Sequence, residues 1–108
     1  MKTTALAKAL GLTVFHGGDE REVTAGYCGD LLSFVMGRAP AGCAWITVMT
    51  NVNVAAVAVL CDVGCIILAQ GTHPDENLLE RVKRENIALF GTDDDVYTAA
   101  VRLGKTIS

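Results

Sequence analysis

Three short segments hold the residues best suited to chemistry: Gly26-Tyr27-Cys28-Gly29-Asp30, Thr50-Asn51-Val52-Asn53 and Gln70-Gly71-Thr72-His73. Each follows a stretch that reads as a β-strand, and in an open α/β sheet ligands bind just beyond the carboxyl ends of the strands. Glycine lets backbone amides approach a ligand closely, and the unpaired amides at a helix start favour anions. The candidate ligand-binding residues are therefore Gly26, Tyr27, Gly29, Asp30, Thr50, Asn51, Asn53, Gln70 and Gly71, and the chemistry they suit is a small anion or a nucleotide phosphate. The same residue types are also what ordinary caps and turns require. Asp30 stands apart, because an acid in so uncharged a stretch needs a partner, whether Arg38, a backbone cap or a ligand; capping is the simplest of the three.

Catalytic signatures are absent. Gly104-Lys105-Thr106 looks like the end of a phosphate-binding loop, but that motif needs Gly five residues before its final Gly, where this chain has Ala99. His16 and His73 are the only histidines, each beside turn residues and without a local nucleophile or carboxylate set, so surface or turn positions are expected for both. Asp93-Asp94-Asp95 reads as helix-start acid placed against the dipole, without the spaced oxygens of a calcium loop. Cys28, Cys43, Cys61 and Cys65 lie in apolar or Gly-rich surroundings and lack metal-ligand spacing, so they read as buried small hydrophobes. The expectation is a chain with no catalytic residues, no metal and no cofactor.

The elements that must position these segments alternate. Thr3 or Thr4 caps a helix with Leu6 and Leu10 inward, stopped by Gly11, and Leu12 to Phe15 is a strand. Glu22 to Ala25 reads as a second strand ending at Gly26. Gly29 or Asp30 opens a helix with Leu31, Leu32, Val35 and Met36 at helical spacing. Cys43 to Met49 is a strand, and Thr50 or Asn51 caps a helix, Val52 to Leu60, that is apolar all round as a fully buried helix is. Cys65 to Ala69 has the continuous apolar character of a doubly covered parallel strand. A helix follows with Pro74 at its first position and Leu78, Leu79 and Val82 inward. Ile87 to Phe90 is a strand, and Thr92 with Asp95 resembles a capping box for a last helix closed by Gly104. This pattern predicts an α/β fold: three α/β/α layers around a mostly parallel sheet of about four to five strands, one domain over residues 1–108.

Composition narrows the class. Hydrophobic residues make up 51% of the 108 and charged ones 19%, with a net charge of -3. No basic block is present to neutralise a row of phosphates, which argues against nucleic acid. The uncharged window from Ala39 to Cys61 is long enough to cross a bilayer, but Thr47, Thr50, Asn51 and Asn53 fall at its centre and Pro40 and Gly42 open it, so no membrane span is expected. The N-terminal residues lack the apolar core of a secretory signal, which points to the cytoplasm. From Val23 to Thr72 the only charges are Asp30, Arg38 and Asp62. So little polar surface on so small a domain predicts a homodimer that buries residues of the Val52 to Leu60 or Leu31 to Met36 helix over ~1,200 to 2,000 Å² in total.

Taken together, Gly26 to Leu32, Asn51 to Ala58 and Cys65 to Gly71 resemble the DRTGG domain family over roughly residues 2 to 104, as a stand-alone member. The literal Asp-Arg-Thr-Gly-Gly string is absent, and Ala69-Gln70-Gly71 stands where its Thr-Gly-Gly turn is expected. Such domains occur fused to regulatory modules, as in some inorganic pyrophosphatases, and are similar to the N-terminal domain of the HPr kinase/phosphorylase, whose kinase site belongs to a different domain. The resemblance implies an α/β/α fold, a tendency to dimerise, and a regulatory or sensor role toward a small nucleotide or phosphate-bearing ligand or a partner protein. A phosphotransferase and a purely structural adaptor remain the alternatives.

Overall fold

The computed structural model describes all of residues 1–108. In chain order the elements are α1 (Thr3–Leu10), β1 (Thr13–His16), β2 (Gly26–Cys28), α2 (Leu32–Arg38), β3 (Ala44–Thr47), α3 (Asn53–Cys61), β4 (Cys65–Leu68), α4 (Glu76–Glu85), β5 (Ala88–Gly91) and α5 (Val96–Ile107). The strands form one sheet in the order β1-β5-β4-β3-β2. β2, β3, β4 and β5 run parallel, and β1 is added antiparallel on β5 with Thr13 opposite Gly91.

Every residue of β3, β4 and β5 is buried, so both faces of the sheet need cover. Alternation sends Ala44, Ile46, Cys65, Ile67, Ala88 and Phe90 to one face, where Leu6 and Leu10 of α1 and Ala99 and Leu103 of α5 meet them. Trp45, Ile66, Leu68 and Leu89 point the other way, against Val35 of α2, Val54, Val57 and Ala58 of α3, and Leu78 and Val82 of α4. The result is the three-layer α/β/α arrangement that the alternating sequence implies.

Several local expectations are corrected. Glu22 to Ala25 is not the second strand. The N-terminal amino group pairs with the Glu22 carboxylate and donates to the Val23 carbonyl, and Glu22 bridges Lys2, which holds that segment against the start of α1. The strand begins instead at Gly26, where a Cβ would approach Leu103 Cδ2 of α5 to 2.7 Å. Thr3 and Thr4 lie inside α1 rather than capping it. The carboxylate of Glu20 accepts from Thr3 Oγ1 and from the Thr4 amide, both at 2.8 Å, and does the capping from outside the helix.

α2 begins at Leu32 with Leu31 in the cap position, and only Val35 of its apolar residues is buried; Leu31 and Met36 are exposed. α3 is likewise not buried all round, since Val59 and Leu60 face solvent. Asp75, not Pro74, starts α4 by accepting from the Leu78 amide. Asp95 caps α5 by accepting from the Thr98 amide, Thr92 Oγ1 takes the Asp94 amide, and the helix runs through Gly104 to Ile107. Cys43 and Cys65 are buried as expected, with burial raising their thiols to about 11 and about 12, whereas Cys28 is exposed and Cys61 partly so. His16 lies within β1, half-buried, rather than in a turn.

Two predictions arise. Gly18 has φ of +63°, and a Cβ there would fall 2.3 Å from the Ala88 backbone nitrogen. Gly18→Ala should therefore cost about 2 to 4 kcal/mol in urea unfolding, the combination of left-handed strain and a rigid backbone clash. The second concerns acid. The Thr4 amide and Thr3 hydroxyl hold the Glu20 carboxyl below its ordinary value, and the Thr98 amide does the same for Asp95. A depressed folded-state pKa stabilises above the unfolded value and is lost as pH falls through the folded one. Stability should be flat from pH 7 to about 5, then decline below about pH 4.5, and Glu20→Gln should shallow that decline in a pH series of urea midpoints.

Candidate functional site

Because β2 to β5 are parallel, the loops that follow them gather at one end of the sheet, and backbone bonds lace them together. The Asp75 amide donates to the Thr50 carbonyl at 3.0 Å, joining the loop after β3 to that after β4. The amides of Gln70 and Gly71 donate to the carbonyls of Asp94 and Thr92, joining the loop after β4 to that after β5. Gln70 and Gly71 both adopt positive φ, +62° and +68°, to turn tightly enough for this.

Asp30 joins the remaining loop. Its Oδ1 accepts from Thr47 Oγ1 at 2.6 Å and from the Val48 amide at 3.0 Å. The Gly29 amide donates to the Ile46 carbonyl at 3.2 Å, and the Gly29 carbonyl accepts from Trp45 Nε1 at 3.0 Å. Thr47 Oγ1 then accepts from the Met49 amide at 3.3 Å. Asp30 therefore caps neither its own helix nor Arg38: it clamps the end of β3 from the neighbouring strand, and its hydroxyl donor, Thr47, is fully buried.

The other candidates divide. Thr50, Asn51, Asn53, Gln70 and Gly71 lie at the carboxyl end with Gly29 and Asp30. Asn51 Oδ1 accepts from the Asn53 amide at 2.9 Å, which secures the start of α3. Gly26 and Tyr27 are part of β2 itself, paired with Ala44 and Trp45, so they are not loop residues. Tyr27 is half-buried with its ring against Gly29. Gly26 faces away from the loops into a hollow of about 220 Å³ between β2 and α5, which Cys28, Ala100, Leu103 and Gly104 also line. Asp30, Thr50, Asn51, Asn53 and Gln70 line none of the hollows, whereas Gly71, with Thr72 and His73, lines one of about 30 Å³ at the carboxyl end beside β1 and β5; the others lie between α1 and β1, about 330 Å³, beneath α1 and α5 at Leu10, Ile67 and Arg102, and at the amino end of the sheet.

The electrostatics of these loops disfavour a bare phosphate. Amides that an anion would use are already engaged, Val48 by Asp30, Met49 by Thr47 and Asn53 by Asn51. The surrounding charges are Asp30, Asp75, Asp93, Asp94 and Asp95, with Arg102 committed to Asp94 at 2.6 Å. His73 stands edge-on to Phe15, centroids 5.6 Å apart. What the end does offer is hydrogen-bonding side chains on exposed loops: Asn51, Asn53 and Gln70. Sequence reading missed Thr47 and Trp45 as partners of the Gly29-Asp30 turn. The signal was there, a hydroxyl and an indole in an otherwise aliphatic buried strand.

These features define a three-layer α/β domain with laced loops at the carboxyl edge of its sheet. No family model matches the sequence, and no curated protein matches it. Among solved structures the fold is similar to the CBS and DRTGG domains of the regulatory region of Clostridium perfringens pyrophosphatase, crystallised with its activator, diadenosine tetraphosphate. The TM-score is 0.76 at 18% identity, over 93% of this chain and 44% of that one, so this chain spans less than half its length. The solved region includes the domain type whose residues this sequence resembles, and the likeness establishes the fold.

The clamp gives a direct prediction. Asp30→Ala leaves a buried hydroxyl and the Val48 amide without their acceptor and should cost about 1.5 to 3 kcal/mol in urea unfolding, while Asp30→Asn, which keeps one acceptor oxygen, should cost less. Equal stability of Asp30→Ala and wild type would show that the clamp contributes nothing.

Proposed function

We propose that this chain is a non-catalytic regulatory module that acts as a cytoplasmic homodimer and binds a nucleotide-type ligand or a partner protein at the carboxyl edge of its sheet. The observation that carries this reading is the fold likeness over 93% of the chain to a regulatory region rather than to a catalytic domain. That region's activator is a dinucleotide, which makes the nucleotide class the first to try here. The physical chemistry of the edge refines the choice. Carboxylates and engaged amides disfavour a phosphate held in the loops, whereas Asn51, Asn53 and Gln70 suit the donors and acceptors of a base and the hydroxyls of a ribose. In this reading the nucleoside portion sits on the loops and its phosphates project into water.

Thermal unfolding with adenosine, ATP, diadenosine tetraphosphate and inorganic phosphate tests it. At a hundredfold its dissociation constant a ligand adds ~2.7 kcal/mol, which for a domain of this size raises the melting temperature by about 10 to 20 °C. Adenosine and the nucleotides should both shift the transition, and Asn51→Ala should remove the shift. A response to inorganic phosphate alone would restore the anion site. Turnover of a phosphoryl donor that Asp30→Asn abolishes would make the chain a phosphotransferase, and no response to any nucleoside would leave a structural adaptor.

A further inference from the structure

Of the three charges between Val23 and Thr72, Asp62 pairs with Arg21 at 3.0 Å, but Asp30 and Arg38 have no ion-pair partner in their own chain. They stand at opposite ends of α2, Asp30 just before it and Arg38 as its last residue. Between them Leu31 and Phe34, 57% and 52% exposed, fall on one stripe with Arg38 at spacings of three and four. The guanidinium of Arg38 lies over the Phe34 ring, 4.7 Å from its centroid. Gly37 borders the stripe, and a Cβ there would meet nothing within 4 Å. The opposite side of the helix is the buried one, through Val35.

We infer that this stripe is the contact between two copies of the chain, packed about a twofold axis at Phe34 with their α2 helices antiparallel. The arrangement is self-complementary. Phe34 meets its own copy, Leu31 meets the open space at the partner's Gly37, and Arg38 reaches the partner's Asp30, as Asp30 reaches the partner's Arg38. Oδ1 of Asp30 is held by Thr47 and Val48, which leaves Oδ2 for the incoming guanidinium. A parallel pairing would instead set acid against acid and cation against cation. A second copy of this chain supplies the required acid and cation at the required separation. An aromatic and an arginine at the centre of an apolar patch are what the core of a protein interface prefers. Seven residues of helix are too few for a stable dimer of ~1,200 Å² or more. The exposed Val59 and Leu60 of α3, which packs beside α2, and the open edge of β2 extend the apolar surface.

The inference rests on the dimer half of the reading above and goes further by placing the axis. Two measurements test it on the full chain. In sedimentation equilibrium the wild type should be a dimer at micromolar concentration, and Phe34→Asp should weaken the association by about 30-fold or more, with its circular dichroism unchanged because the residue is half exposed. In a Cys28→Ser background, which removes the exposed native thiol, Phe34→Cys should form a disulfide-linked dimer with oxidised glutathione, since a residue on the axis meets itself. Val14→Cys in the same background, exposed on the far edge strand β1, should stay monomeric on a non-reducing gel. A wild-type dimer that Phe34→Asp leaves intact, or Phe34→Cys that crosslinks no faster than Val14→Cys, overturns this face and keeps the dimer. A wild type that sediments as a single 11.4 kDa chain overturns both. Should Phe34→Asp misfold, the crosslinking pair decides alone.

Discussion

The need to bury both faces of a sheet built from strands of three or four residues governs the rest of this molecule. β3, β4 and β5 expose nothing, and none of them contributes a charged side chain. A strand that short gains little from its ladder alone, so its stability comes from side chains packed above and below it. That requirement places α1 and α5 on one face and α2, α3 and α4 on the other, and it forces every connection between parallel strands to pass through a helix. It also leaves the polar groups nowhere to go except the ends of the sheet and the outer surfaces of the helices.

At the carboxyl end that crowding has a chemical result. Backbone groups released by the strand ends are satisfied by neighbouring loops rather than left for a ligand: Thr50 with Asp75, Gln70 with Asp94, Gly71 with Thr92, and Asp30 with Val48 and Thr47. The edge is thereby cross-linked by hydrogen bonds, rich in acids, and better at accepting hydrogen bonds than at holding an anion.

The helices on the Trp45 face meet a different constraint. α2 has seven residues and α3 nine, and each buries one side while leaving apolar residues on the other. α4 contrasts with them, because its outer face is charged and its Arg81 and Glu85 pair with each other. Solvent suits α4 and does not suit the exposed faces of α2 and α3. The same shortage of charge that makes a sound interior in the middle of the chain thus continues onto part of its surface.

The α/β alternation, the apolar β3 and β4 strands, and the helix stop at Gly11 follow from patterns within a few residues, whereas the left-handed stops at Asp62 and Asn86 emerge only in the structure. Local spacing determined that much, because period and turn chemistry act between near neighbours. What the sequence alone left undetermined involves partners distant in the chain. Glu20 caps α1 from 16 residues away through the Thr4 amide, Asp30 clamps Val48 from 18 residues away, and Leu103 of α5 packs over Gly26 from the far end of the chain. Of the candidate site, the gathering of the three loops could be read from a parallel sheet, whereas the commitment of their amides could not. The helical stripe of Leu31 and Met36 was legible as periodicity, but which side of it is inward depended on where α2 docks. A one-dimensional pattern gives the spacing of groups along an element. Only packing in three dimensions decides which face is covered and which hydrogen bonds are already made.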